Sequence, residues 1–394
     1  MANLPTYPGV YVTETPAGVR TIAGVATSIA AFLGQAARGP VDTPVECLGV
    51  ADYVRHFGAP LAGANLARSV LQFFDNGGSA CFVVRLAGDH PPTQADYLGS
   101  EPLGTGFHAL DAVDLFNIMV LPGDGIANEA EWQVIRAAAA AYCHGRRAFL
   151  VLDAPLAWTR NHQLAAQASD VQDFRAALGP HASDCAVYYP RVQVDGAGRP
   201  RCVGVSGAIA GVYAATDAAH GVWKAPAGTG TALAGVDGLE ADLDDSQNEL
   251  LAPLGVNCLR QLPAGILVWG ARTVAGFAGS GDADWTYVPV RRLALFLVES
   301  LDRGTQWAVF EPDDEALWAQ LRTNVDAFMM GLFRAGAFQG ATPEQAFFVK
   351  CDSQTNSQSD IDSGIVNIVV GFAPIKPAEF VVIAIQQLTS AASC

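Results

Sequence analysis

The chain has 394 residues, of which 51% are hydrophobic and 16% charged, and its formal net charge is −16 at pH 7. The length predicts two or three domains, or one large α/β domain with additions, and the composition excludes a mainly disordered chain. No apolar run approaches the ~18 residues of a membrane helix, and the acidic balance disfavours phosphate backbones, so neither membrane insertion nor a nucleic-acid partner is expected.

The first twenty residues are punctuated by Pro and Gly. Val10-Tyr11-Val12-Thr13 reads as a short strand between Pro8-Gly9 and Pro16. It has too few sequence neighbours to form a sheet alone, so it must pair with something distant, in this chain or another. Arg20 and the apolar run 22–34 imitate a signal peptide. Glu14 upstream, with nothing basic before Arg20, favours a buried strand at 28–33 instead.

Strands are predicted at 28–33, 80–86 and 116–121, and helices at 65–74 and 129–142. The succession 116–121, 129–142, 148–152 reads as strand, helix, strand, which implies a parallel pair with a right-handed crossover. A helix near 164–178, strands at 186–189 and 201–205, and a helix at 207–219 continue the pattern. The expectation is an α/β domain whose sheet is covered on both faces. The Gly/Ala/Thr-rich stretch 225–235 reads as a surface loop or hinge. An acidic patch at 240–249 opens a short helix, and Leu262-Pro263-Ala264-Gly265 turns a hairpin between 255–262 and 265–269.

From about 288 the pattern becomes helix, helix, strands. Helices are predicted at 290–303 and 313–334. The second starts at Glu311-Pro312-Asp313-Asp314-Glu315, where Pro and carboxylates suit a helix N-terminus. Leu317, Leu321, Val325, Phe328 and Leu332 form its apolar stripe, and Gly336 ends it. Late strands follow at 346–350, 365–372 and 379–385.

Chemical equipment is sparse. The 8 cysteines form no C-x-x-C pair and read as small buried hydrophobes. All histidines lie at or before His220 and are scattered singly, so no metal site is expected. The dipeptide Gly-Lys never occurs, which excludes a P-loop, and no cofactor is expected. The clusters Asp242, Asp244, Asp245 and Asp282, Asp284 lack the glycine and terminal glutamate of a calcium loop. One motif invites an enzymatic reading. Gly204-Val205-Ser206-Gly207-Ala208 follows a strand and opens a helix like a nucleophile elbow, but Ala208 stands where the second glycine belongs. The helix would put His220 about 20 Å from Ser206. The order Asp153, His162 or His181, Ser206 is that of subtilisin. A serine hydrolase using Ser206 and a helix-capping serine are both open at this point.

Longer motifs resemble a known family. Tyr7-Pro8-Gly9-Val10-Tyr11-Val12-Thr13-Glu14 with Gly18-Val19-Arg20, Gly24-Val25-Ala26-Thr27-Ser28 and Arg38-Gly39-Pro40 is similar to contractile-tail sheath proteins. So are Gly211-Val212-Tyr213-Ala214-Ala215-Thr216-Asp217, Gly221-Val222-Trp223-Lys224 and Val268-Trp269-Gly270-Ala271-Arg272-Thr273. The most specific match is Glu299-Ser300-Leu301 through Arg303-Gly304-Thr305-Gln306-Trp307-Ala308-Val309-Phe310-Glu311-Pro312, continued by Phe347-Phe348-Val349-Lys350-Cys351-Asp352 and Pro374-Ile375-Lys376-Pro377.

The resemblance implies a structural subunit, not an enzyme. Copies would stack in six-fold layers around an inner tube, meet baseplate and tail-end cap proteins, and contract to drive the tube through a target envelope. It implies assembly in the bacterial cytoplasm, as part of a phage tail or a released extracellular particle. The implied plan is an N-terminal strand-exchange arm (1–22), a subtilisin-like α/β domain (23–270) and a smaller α+β, tube-facing C-terminal domain (271–394) whose arm begins near 360. The arms would exchange strands between subunits through Val10, Tyr11, Val12 and Thr13 and through Ile365, Val366, Ile368, Val370, Phe380, Val381, Val382 and Ile383. Arg322 and Arg334 are the candidates to face acidic groups of the tube. The chain is short for the family, which implies a minimal sheath without extra outer domains.

Overall fold

The computed structural model describes residues 21–88, 90–123, 126, 128–195, 200–279 and 284–379. The chain divides into two compact units, one built around Val25–Glu299 and the other around Ser300–Ala373.

In the larger unit the strands are β1 (Ala30–Gly34), β2 (Val45–Cys47), β3 (Cys81–Arg85), β4 (Ile118–Val120), β5 (Phe149–Asp153), the ribbon β6 (Thr159–Arg160) and β7 (Gln163–Leu164), β8 (Cys185–Tyr189), β9 (Val192–Asp195), β10 (Pro200–Val203), β11 (Gly238–Leu239), β12 (Val256–Leu262) and β13 (Gly265–Trp269). Its helices are α1 (Val50–Phe57), α2 (Leu66–Asp75), α3 (Gln94–Leu98), α4 (Glu129–Gly145), α5 (Ala168–Leu178), α6 (Ser206–His220) and α7 (Asp245–Leu251). A further helix, α8 (Val288–Thr305), runs past the division between the units.

Eight strands form one sheet in the order β13-β12-β8-β5-β4-β1-β3-β2. The six from β12 to β3 are mutually parallel, and the edge strands β13 and β2 are antiparallel to their neighbours. The chain runs from β1 to β3 on one side, then returns to β4 on the other, so the sheet is doubly wound. The sequence dictates this layering. A parallel strand buried on both faces must be apolar throughout, and β1, Ala-Ala-Phe-Leu-Gly, is buried at every position. Alternate residues then feed two cores. Ala30, Phe32, Val83, Ile118, Val151 and Tyr188 meet α2 and α6 through Val70, Phe73, Ile209 and Tyr213. Ala31, Leu33, Val84, Met119, Leu150 and Val187 meet the other layer through Tyr97, Ile135, Ala139 and Phe174. Each fully buried Val, Leu, Ile, Phe or Met side chain among them contributes about 1.5–3 kcal/mol of transfer free energy.

One expectation changes. The stretch 225–235 is not a free loop. Gly228 N–H donates to Val268 O (2.9 Å), Leu233 N–H donates to Ile266 O (2.9 Å), and Ala232 bridges Leu267, so the segment covers the outer edge of β13. Its small residues carry no periodicity that would reveal this pairing. The compact units divide at 299/300. Residues 271–299 stay with the larger unit because α8 carries Arg291 to Asp184 and Arg292 to Asp217.

The smaller unit contains α9 (Glu315–Arg334), α10 (Pro343–Ala346), β14 (Phe347–Lys350), α11 (Gln358–Asp362) and β15 (Val369–Phe372). The Asp314 carboxylate accepts from Leu317 N–H (2.9 Å) and caps α9. The helix buries Leu317, Trp318, Leu321, Asn324, Val325 and Met329. The stripe therefore continues in steps of four to Met329, leaving Phe328 and Leu332 half-buried.

Candidate functional site

Ser206 opens α6 at the end of the β10 segment, as expected, but its surroundings are those of a structural anchor. The Asp153 carboxylate, at the C-terminal end of β5, accepts from Val205 N–H (2.7 Å), Ser206 N–H (2.8 Å) and the Ser206 hydroxyl (2.7 Å). Asp153 thus caps α6 and places negative charge at its N-terminus. Ser206 is a helix residue held by the cap, not the capping residue. Gly204 is required here because a Cβ at that position would collide with the Asp153 carboxylate. Among the described residues no histidine bonds Ser206, and the hydroxyl is fully buried. A nucleophile needs a base within hydrogen-bond reach and a space for substrate. The adjacent cleft, lined by Asn65, Pro122, Trp132, Asp153, Arg191 and Gly204, holds about 80 Å³, far below the ~300 Å³ lower range of ligand pockets. A fluorophosphonate probe is expected to leave Ser206 unlabelled in the native chain, read by mass spectrometry of the tryptic peptide.

The histidines are not all solitary. His144 at the end of α4 and His181 have ring centroids 4.7 Å apart, and His144 Nδ1 lies 2.8 Å from the buried Asp184 carboxylate. With Asp184 they form a group of three potential metal ligands. Arg291 also donates to Asp184, so a guanidinium already supplies positive charge to that carboxylate. Sequence spacing brings His181 and Asp184 within three residues but could not have revealed His144, which comes from the distant α4.

The residues expected to build an assembly surface fall into three groups. Val10, Tyr11, Val12 and Thr13, and Phe380, Val381, Val382 and Ile383, lie outside the described residues. Ile365, Val366 and Ile368 precede β15 rather than belonging to it. Asn356 is the cause: its side-chain Oδ1 accepts from Asn367 N–H and its Nδ2 donates to Asn367 O, which takes that backbone out of a ladder. Val366 and Ile368 instead pack against Leu317, Trp318, Leu321 and Cys351. Val370 does lie in a strand, opposite Val349 of β14 in the same chain.

The β14–β15 pair is an antiparallel ribbon of only two strands. One face is packed by Phe338, whose ring lies 6.1 Å from Phe347 and 5.9 Å from Phe372. Among the described residues neither outer edge has a further strand partner. Two strands alone are marginal in water, and unpaired N–H and C=O groups at a strand edge invite another strand. The same unit exposes Val309, Phe310, Phe348, Ile365 and Val369. Phe310 is fully exposed and sits at φ 70, a left-handed conformation unfavourable for an aromatic residue. Arg334 is exposed at the end of α9. Arg322 is partly engaged, donating to Cys351 O and lying 3.4 Å from Glu315.

Comparison with known proteins places this architecture. Residues 92–274 match the family model described as the phage tail sheath protein central domain, and residues 280–387 match the phage tail sheath C-terminal domain. The chain belongs to the phage tail sheath family, a family of structural proteins of contractile tails rather than of enzymes. A putative prophage major tail sheath protein of Pseudomonas aeruginosa (strain UCBPP-PA14) is 26% identical, covering 94% of each chain. The tail sheath protein of Vibrio phage KVP40 is 28% identical over 46% of this chain, and the match spans only a quarter (25%) of that longer relative. Among solved structures, the helical sheath of the anti-feeding prophage in its contracted state superposes with TM-score 0.77 at 28% identity, covering 98% of this chain and 100% of that one. The sheath of the extracellular contractile injection system PVC, also contracted, gives TM-score 0.76 at 26% identity, with 99% of each chain covered. The homologues are contractile sheath proteins of phage and of injection systems, and the serine hydrolase alternative has no support among them.

Proposed function

We propose that this chain is the repeating subunit of a contractile sheath that stacks in six-fold layers around an inner tube and contracts to drive that tube through a target envelope. It assembles in the bacterial cytoplasm and meets baseplate and tail-end cap proteins at its two ends. Its finished home is a phage tail or a released extracellular particle. The observation that carries this reading is the β14–β15 ribbon, whose two outer edges have no strand partner among the described residues. Strand addition from the arms of neighbouring copies would complete it, using main-chain hydrogen bonds that hold subunits while leaving each rigid body free to turn. We read the larger unit as a subtilisin-like body in which Asp153 and Ser206 persist as a helix anchor without catalytic function.

Contraction on this account draws on energy stored during assembly. One packing of the subunits is less stable than another, and a signal at the baseplate releases the transition. The smaller unit faces the tube, with α9 as the contact and Arg334 as its available cation. The test is co-sedimentation with the inner tube protein. The unaltered chain is expected to pellet with tubes, and Arg334→Glu is expected to weaken that recovery several-fold. Arg322→Glu is a poorer probe, because it also breaks the bond to Cys351 O. Unchanged recovery of Arg334→Glu would remove Arg334 from the tube contact. Failure of the unaltered chain to pellet would count against the sheath reading itself.

A further inference from the structure

Cys47 and Cys81 are the only described cysteines that face each other as strand partners. They stand opposite one another in the antiparallel β2–β3 register, whereas Cys185 stands opposite Leu150, Cys202 opposite Gln193, and Cys258 opposite Tyr189 and Trp269. Directly opposed residues of an antiparallel pair have Cα atoms about 4.5–5.5 Å apart, inside the ~4.4–6.8 Å window of a disulfide. Both side chains project to the same face of the sheet, into the cluster that holds Phe32, Tyr53 and Val83. The two thiols are close enough to interact with each other, and Cys47 Sγ also lies 3.9 Å from Val45 O.

We propose that Cys47 and Cys81 are a redox-responsive dithiol that closes to a cross-strand disulfide when the chain meets a small-molecule disulfide oxidant. The inference does not depend on the sheath reading. Both thiols are fully buried, so reaction requires a local opening. The position allows one: β2 is a three-residue edge strand, with Val45 half-buried and Glu46 exposed. Fraying of such an edge costs less than global unfolding.

The small-molecule disulfide is the two-electron oxidant, and the two cysteine thiols are the only other reactants. With β2 open, one of the two thiolates attacks a sulfur of the oxidant, forms a mixed disulfide and expels one small thiolate. As β2 closes, the other cysteine loses its proton and attacks the protein sulfur of that mixed disulfide, expelling the second small thiolate. The protein loses two hydrogens and the oxidant becomes two thiols. In the closed strand pair the neighbouring Cys81 thiol pulls the Cys47 pKa below the ordinary value, while the same interaction and burial push Cys81 well above it. Burial pushes Cys143 and Cys185 well up, and Cys258 to about 12. The closed form would pin the edge strand and cross-link the chain around α1 and α2, restricting the unfolded state.

The experiment uses the purified full chain, incubated with oxidised glutathione or kept in a reducing buffer. Thiols are then counted in denaturant, and the Cys47 and Cys81 peptides are mapped without reduction. The expected result is a slow loss of two thiols, a linked Cys47–Cys81 peptide, and a melting temperature raised by several degrees relative to the reduced chain. Cys81→Ser should abolish the linked peptide and the shift. If that variant fails to fold, oxidative refolding of the unaltered chain gives the same readout. The proposal is overturned if Cys47 and Cys81 remain free thiols after both native oxidation and oxidative refolding, with glutathione taken up only at the partly exposed Cys202.

Discussion

Asp217→Ala is expected to cost the larger unit about 3–5 kcal/mol, the usual loss when one partner of a buried ion pair is removed. Asp217 of α6 and Arg292 of α8 have side chains only 3% and 4% exposed. They meet in a bidentate pair, Arg292 Nη1 to Oδ1 at 2.9 Å and Nη2 to Oδ2 at 2.6 Å. The Thr27 hydroxyl donates to the same carboxylate (2.7 Å), and Arg292 donates to Thr27 O (2.8 Å). The guanidinium also lies over the Tyr213 ring, 4.6 Å from its centroid, and the Tyr213 hydroxyl meets that of Tyr188 at 2.7 Å. Removing the carboxylate strands a buried guanidinium. Removing both charges does not, so Asp217→Leu with Arg292→Met is expected to recover much of the loss. Urea unfolding followed by circular dichroism checks both variants. A single-variant loss below about 1 kcal/mol would mean that water reaches the guanidinium and the pair is not a keystone.

Deleting residues 1–15 is expected to abolish assembly while leaving the secondary structure of the larger unit unchanged. Val10-Tyr11-Val12-Thr13 is a strand-forming sequence with no partner nearby in sequence, and β14–β15 is a ribbon whose outer edges have no strand partner among the described residues. Each main-chain bond added by such an arm contributes only about 0.5–1.5 kcal/mol net. The contribution recurs in every subunit, so the array would feel its loss far more than the monomer. Light scattering and electron microscopy would report the change. Intact assembly after the deletion would remove the N-terminal arm from the account.

The α/β body was legible in the sequence because parallel strands buried on both faces leave unmistakable apolar runs, and because the helices between them carry caps. Asn128 accepts from Ala130 N–H at the start of α4, with Glu129 and Glu131 in its first turn. The helix at 207–219 and the hairpin at 262–265 appear within a residue or so of their expected places. What was not legible depends on side chains reaching across long sequence distances. Asn356 withdrawing residue 367 from the last strand is one case. The segment 225–235 lying along β13, the Asp153 cap on α6, and the cluster of His144, His181 and Asp184 are others. Ser206 misled for a physical reason: a sharp strand-to-helix turn with a buried acid beneath it has the same local sequence whether the acid serves a catalytic base or a helix terminus.

Copies of this chain are expected to build a hollow contractile sheath. Electron microscopy of the purified chain at rising concentration tests it most directly. The expected result is rings or tubes with a lumen wide enough for an inner tube. Dispersed single copies at every concentration would contradict it.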